Sequence, residues 1–172
     1  MRIGLSPLSF SFFLLTFYFG VPMPTVRSET QFSVFLVNKP GVLAQVTRAL
    51  ASAKINIVAM TLVDSQEHGV LRVVAENPTA TRDVLTKLNL PMTETEVLCL
   101  DLSNDPGALA DVAQLLGANH VNINYAYCTS GARGGRTTGI FKVADPSKAY
   151  KLLKSTGAKH KEPSLRRQGP RR

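Results

Sequence analysis

Two copies of one short sequence decide the fold: NKPGVL at residues 38–43 and NDPGAL at residues 104–109. Each copy follows an apolar stretch typical of a strand and precedes a stretch with helical periodicity. Pro40 and Pro106 are 66 residues apart (106 − 40), and Asn56 and Asn122 are separated by the same interval (122 − 56). Two copies of one supersecondary unit define an architecture, so the sequence predicts two related modules.

The first module is predicted to have the element order β-α-β-β-α-β. Within residues 31–38, apolar side chains occupy both odd-numbered and even-numbered positions, which is typical of a strand buried on both faces. Asn38 is the expected N-cap of the first helix, with Pro40 in its first turn. A hairpin within residues 55–75 and a second helix capped by Asn77 follow.

The second module repeats this order. A strand from Met92 to Leu102 is predicted to belong to both modules, since no turn signal interrupts it. A hairpin within residues 122–143 and a helix capped by Asp145 follow, but the sequence after Gly157 is too polar and basic to supply a good last strand. The predicted fold class is α+β: two ferredoxin-like βαββαβ modules in tandem, with antiparallel sheets and helices on one face.

Composition divides the chain into four segments. They are a leader at residues 1–30, the modules at 31–95 and 96–158, and a basic tail at 159–172 that we expect to be disordered. The net charge is +8, but the tail carries +5 of it and the leader +1, so the modules together carry only +2. Specific nucleic-acid binding by the modules is therefore not expected, and binding through the tail is the least favoured alternative.

The leader contains an uncharged, Phe-rich stretch at residues 8–19. Three interpretations remain open: it is upstream sequence, with the true start at Met23, it is a signal or membrane anchor, or it is an ordered part of the fold. The first implies a cytoplasmic protein without membrane contact. If residues 1–22 are translated, the protein would instead be exported or anchored.

The sequence contains few residues in arrangements typical of a catalytic, metal or cofactor site. The histidines have no partner at the spacing of a catalytic triad or metal site, and we expect them on the surface; the cysteines are expected to be buried thiols. We therefore expect that the protein is not an enzyme and that it binds no metal and no cofactor. The residues concerned are His68, His120, His160, Cys99 and Cys128.

The two turns offer better binding chemistry. A helix N-terminus presents unpaired backbone N–H groups and positive dipole character, which suit a carboxylate. Gly41 and Gly107 remove side chains that would block a small ligand, and an Asn side chain can meet both an ammonium and a carboxylate. The structural alternative is that Asn38 only caps its helix.

The chain resembles the ACT domain family over roughly residues 31–158. The resemblance rests on the element order, both Asn-x-Pro-Gly-x-Leu turns, and the strand openings at Ile55-Asn56-Ile57 and Val121-Asn122-Ile123. It implies amino-acid binding between modules, by the loop before the first helix of one module and the second strand of its partner. Carried over by position, it nominates two ligand-binding sets: Asn38, Gly41, Val42 and Leu43 with Asn56, and Asn104, Gly107, Ala108 and Leu109 with Asn122.

The two turns differ at their middle residues. Lys39 could pair with an acidic ligand group, whereas Asp105 would repel one or bind an ammonium. The sites are therefore expected to differ in ligand, or only one of them to bind.

The sequence thus predicts a regulatory protein that binds a small amino acid, forms a homodimer or higher homo-oligomer, and acts on a regulated enzyme partner. The alternative is an interaction or assembly module whose Pro-Gly turns are purely structural. The strand at residues 122–128, with Ile123, Tyr125 and Tyr127 expected on one face, is the candidate interface.

Overall fold

A computed structural model describes residues 25–63, 68–129 and 136–158. The predicted leader up to residue 24, the Gly-rich hairpin turn of the second module, His160 and the basic tail lie outside these ranges. The elements are β1 (Thr25–Val37), α1 (Val42–Ser52), β2 (Ile57–Val63), β3 (His68–Ala75), α2 (Pro78–Lys87), β4 (Met92–Ser103), α3 (Ala108–Ala118), β5 (Ile123–Cys128), β6 (Arg136–Val143) and α4 (Pro146–Ala158).

The strands within the described residues form one six-stranded sheet, in the order β2-β3-β1-β4-β6-β5. All neighbouring pairs are antiparallel. The element order and the antiparallel sheet confirm the predicted fold class, with one difference: the two modules share a continuous sheet. As predicted, β4 runs unbroken between the modules.

The two central strands each serve both modules. β1 pairs with β4 from Thr25 opposite Asp101 to Val34 opposite Met92. Only residues 31–37 of β1 also pair with β3. Residues 25–30 pair with the second half of β4, so they take the place of the last strand that the second module lacks.

β1 therefore begins six residues before the boundary assigned from composition. The segment TVRSET at residues 25–30 is polar apart from Val26, and none of its residues is fully buried, so it carries no apolar alternation. Val26 is the exception, since it packs against the core of the second module. The strand is formed through its pairing with β4, which no local pattern reveals.

The four helices of the described chain cover one face of the sheet with two apolar cores. In the first module, α1 and α2 contribute Leu50 and Leu85, which pack with Phe32 and Leu71. In the second module, α3 and α4 contribute Leu116 and Leu153, and these pack with strand residues such as Leu100 and Phe141. Each helix buries one stripe and exposes the rest, as expected for amphipathic helices.

The helix-free face carries a third apolar cluster. Ala59 and Val74 from the first module pack with Ile140 from the second, and with Val97 and Cys99 of the shared strand β4. The sheet therefore curls until the helix-free faces of the two modules meet.

Gln31 is fully buried on this curled face and links the modules by hydrogen bonds. Its Nε2 donates to the Tyr125 hydroxyl at 2.7 Å and to Ser33 Oγ at 3.2 Å, and its Oε1 accepts from the Tyr127 hydroxyl at 3.1 Å. Burial raises the pKa of Tyr127, which keeps the hydroxyl protonated and able to donate. Arg72 stacks over the Tyr125 ring, 4.2 Å from its centroid.

The prediction that Ile123, Tyr125 and Tyr127 lie on one face of β5 is wrong. A bulge lies between Ile123 and Tyr125, so these residues do not keep simple alternation. Ile123 packs against the helix-covered core, whereas Tyr125 and Tyr127 bond to Gln31 on the other face.

Cys99 is buried as expected, but Cys128 is exposed, which corrects the second thiol assignment. Cys128 is the last residue of β5, an edge strand of the described sheet. His68 and His120 are exposed, in agreement with the prediction. None of the helices in the described part of the chain has the length and hydropathy to span a bilayer.

Candidate functional site

The Pro-Gly dipeptides form type II turns that lead into α1 and α3. Val42 N–H donates to the Lys39 carbonyl at 3.4 Å, and Gly41 has φ 90° and ψ −16°. Such a turn favours proline at its second position and needs a positive φ at its third, which glycine adopts without strain. The second turn is alike: Ala108 N–H donates to the Asp105 carbonyl at 3.3 Å, and Gly107 has φ 99°.

The expected N-cap role of Asn38 is therefore wrong. Gly41 is the N-cap and α1 begins at Val42, so Pro40 lies in the turn and not in the helix. The other two caps are confirmed. Asn77 Oδ1 accepts from Ala80 N–H at 3.0 Å, and Asp145 Oδ1 accepts from Lys148 N–H at 2.9 Å.

The turns leave N-terminal N–H groups of α1 without intrahelical acceptors. The first bond of the helix runs from Gln45 N–H to the Gly41 carbonyl at 2.9 Å. Leu43 and Ala44 precede Gln45, so helix geometry offers their N–H groups no carbonyl one turn back. These groups and the helix dipole favour an anion at this end of α1.

A pocket of about 260 Å³ lies beside the first turn. The end of β1, the first turn of α1, and the facing strands β2 and β3 form its walls. Five lining residues are aliphatic, and Asn38 and Lys39 provide the polar side chains. The described residues that line it are Leu36, Val37, Asn38, Lys39, Val42, Leu43, Leu62 and Gly69.

The first predicted set is only partly brought together. Asn38, Val42 and Leu43 line the pocket, and Gly41 forms the adjoining turn. Asn56 is elsewhere, because its Nδ2 donates to Glu76 Oε1 at 3.1 Å. Glu76 directly follows β3, whereas Asn38 follows the residue paired with His68 at the start of β3. Within one chain the two asparagines therefore lie at opposite ends of β3.

The second predicted set has the same arrangement. Asn104 Oδ1 accepts from Thr137 Oγ1 at 3.3 Å, near the start of β6. The Asn122 carbonyl accepts from Ala144 N–H at 2.9 Å, just past the end of β6. Gly107 and Ala108 form the turn and the start of α3, and Leu109 is 47% exposed.

Leu36, Val37, Leu62 and Gly69 line the pocket but were absent from the predicted set. Leu62 and Gly69 belong to β2 and β3, which come beside the turn only through long-range pairing. Gly69 did carry a signal, since glycine inside a strand commonly marks a close approach of another group.

Two small βαββαβ modules that share a sheet, each with a Pro-Gly turn before its first helix, define a paired ferredoxin-like domain. The family model described as the ACT domain pair matches residues 27–153, and the chain belongs to this family. The ACT domain pair is a regulatory type of domain and not a catalytic one.

Solved structures share this architecture. Protein BT0572 from Bacteroides thetaiotaomicron is 27% identical, with a TM-score of 0.70, over 80% of this chain and 99% of that chain. The ligand-free regulatory subunit of aspartate kinase from Thermus thermophilus is 13% identical, with a TM-score of 0.59, over 78% of this chain and 97% of that chain. The corresponding subunit from Thermus flavus is 16% identical, with a TM-score of 0.54, over 83% and 99%. No curated protein matches the chain.

Proposed function

We propose that this protein is a non-catalytic, cytoplasmic regulator that binds a small amino acid beside a Pro-Gly turn and transmits occupancy to a partner. The observation that carries the proposal is the pocket at the first turn, where aliphatic walls meet a helix N-terminus. Membership of a regulatory family supports the same role.

The pocket matches the chemistry of an amino acid. The N–H groups of Leu43 and Ala44, with the positive charge of Lys39, favour the ligand carboxylate. The Asn38 side chain carries an amide oxygen, which can accept from the ligand ammonium. A ligand that uses both ends of this arrangement is held in one orientation.

A second copy of the chain would complete the site with Asn56. β2 is an edge strand in the described sheet, and its sequence, IVAMTLV, contains no charge. Uncharged edge strands favour pairing with another strand. Antiparallel pairing of two β2 strands would place the start of one beside the end of the other, and so Asn56 of one copy beside Leu62 in the pocket of its partner. The proposed oligomeric state of the protein is therefore a homodimer.

The regulated partner is proposed to be an enzyme. The aspartate kinase regulatory subunits of similar fold are, by their names, parts of a larger enzyme. Occupancy of a pocket formed by β2 and α1 would change the β2 edge, and this change could alter contacts with a bound catalytic protein.

Screening the twenty amino acids by thermal denaturation tests the proposal. At 100 times its dissociation constant, a ligand stabilises the folded state by about 2.7 kcal/mol, so at least one amino acid at millimolar concentration should raise Tm by several degrees. Asn38→Ala should reduce this rise. Asn77→Ala is the matched control: it removes the cap of α2 and costs about 1 kcal/mol, but keeps the ligand-induced rise.

An unchanged Tm across the whole panel would contradict amino-acid binding. It would favour the alternative of an assembly module. The exposed apolar side chains of Phe35, Val37 and Val63 support that alternative, since exposed apolar surface is typical of interaction sites. In that case Asn38→Ala would change stability alone.

A further inference from the structure

Strand register identifies the counterpart of Gly69 in the second module. In the first module Leu36 of β1 pairs with Gly69 of β3. In the second module Leu102, which lies 66 residues after Leu36, pairs with Thr137 of β6. Thr137 therefore occupies the position of Gly69 in the repeated fold.

Gly69 keeps the first pocket open. A Cβ added there would lie 3.4 Å from Leu62 Cδ1, which belongs to the pocket wall. The missing side chain thus leaves space between β3 and the facing residues of β2. The backbone tolerates a side chain, because that distance is an ordinary van der Waals contact.

Thr137 does the opposite in the second module. Its side chain stands where Gly69 has none, and its Oγ1 donates a hydrogen bond to Asn104 Oδ1 at 3.3 Å. Asn104 is the counterpart of Asn38, which lines the open pocket. The Thr137 side chain therefore lies against the second turn.

Four of the six remaining wall residues also differ between the modules, whereas Leu36 and Leu43 are repeated as Leu102 and Leu109. Three aliphatic residues of the first pocket have smaller or more polar counterparts 66 residues later, and the sign of the charged residue reverses. The exchanges are Val37 to Ser103, Val42 to Ala108, Leu62 to Cys128 and Lys39 to Asp105.

We infer that the first module alone holds the ligand, that this ligand is an amino acid with an aliphatic side chain, and that the second turn is structural. The inference rests on the proposed function. Aliphatic walls favour an aliphatic side chain, because a charged one would lose hydration against them once Lys39 is paired with the ligand carboxylate. Lys39 favours the carboxylate end, whereas Asp105 disfavours it.

Isothermal titration calorimetry with leucine, valine and methionine tests the inference, with aspartate, lysine and serine as comparison ligands. The wild-type chain should bind an aliphatic ligand at one site per chain. Gly69→Thr, which copies the second module, should weaken binding at least about tenfold by filling the pocket. The reciprocal variant Thr137→Gly should bind within about twofold of wild type. Gly69→Ala adds only a methyl group and should give an intermediate loss.

The outcomes separate the two levels of the proposal. Binding of aspartate, lysine or serine in preference to every aliphatic ligand would overturn the inference and leave amino-acid binding intact. Loss of binding in Thr137→Gly with retention in Gly69→Thr would overturn the assignment to the first module. No binding of any amino acid would contradict the proposed function itself. Thermal denaturation of each variant without ligand confirms that it is folded.

Discussion

A chain that begins at Gln31 should be less stable than one that begins at Met23 by at least about 3 kcal/mol. It lacks residues 25–30, which pair with the second half of β4 and complete the second module. Each lost backbone hydrogen bond costs about 0.5–1.5 kcal/mol, and removal of Val26 exposes part of a core. The salt bridge from Arg27 to Asp101 at 3.1 Å is also lost, but it is exposed and contributes little.

Chemical denaturation of the two truncated chains measures this difference, and hydrogen exchange locates it. Amides of β4 and β6 in the second module should lose protection in the shorter chain, while those of β3 keep more of theirs. Equal denaturation midpoints, with β4 equally protected in both chains, would show that residues 25–30 are not the missing strand.

Gln31→Met should destabilise the protein by about 2–3 kcal/mol, although methionine has a similar shape. Gln31 is fully buried and exchanges hydrogen bonds with Tyr125, Tyr127 and Ser33. Replacing one partner of a buried hydrogen bond leaves the other unpaired, and this costs about 1–3 kcal/mol per group. The measurement is the free energy of unfolding in urea.

A second substitution distinguishes unpaired hydrogen bonds from poor packing. Adding Tyr127→Phe to Gln31→Met removes the Tyr127 hydroxyl that the first substitution leaves without its acceptor. The double variant should therefore be more stable than the sum of the two single effects predicts. Ser33→Ala is the control, since it removes only the 3.2 Å bond and should cost less. A loss below about 0.5 kcal/mol for Gln31→Met would contradict a linking role for Gln31, since changes of that size are typical of unremarkable surface sites.

The sequence predicted the module order because most elements have local signals, and the 66-residue repeat indicates the same order twice. The apolar periodicities and the caps at Asn77 and Asp145 depend on near neighbours, and the structure confirms these caps and the element order. The unbroken strand β4 was predictable for the same reason, since the sequence contains no turn between Met92 and Leu102.

What the sequence could not supply depends on distant residues. The first half of β1 is polar and becomes a strand only through β4. Asn38 is a residue type typical of an N-cap, but the N-cap is Gly41, which has a positive φ and lies three residues later in the chain. Gly69 becomes a pocket residue only because β3 pairs with β1, and the contrast with Thr137 requires the register of both modules.

The most direct test of ligand binding at the first turn is a two-dimensional amide NMR titration of the full chain with the amino acid that most raises Tm. Binding beside α1 should shift the amide signals of Leu43, Ala44 and Gly69 most strongly, because these groups lie at or next to the pocket. The corresponding signals in the second module, from Leu109, Ala110 and Thr137, should move little. Saturable shifts confined to the second set, or no shifts at the first turn, would contradict the assigned site.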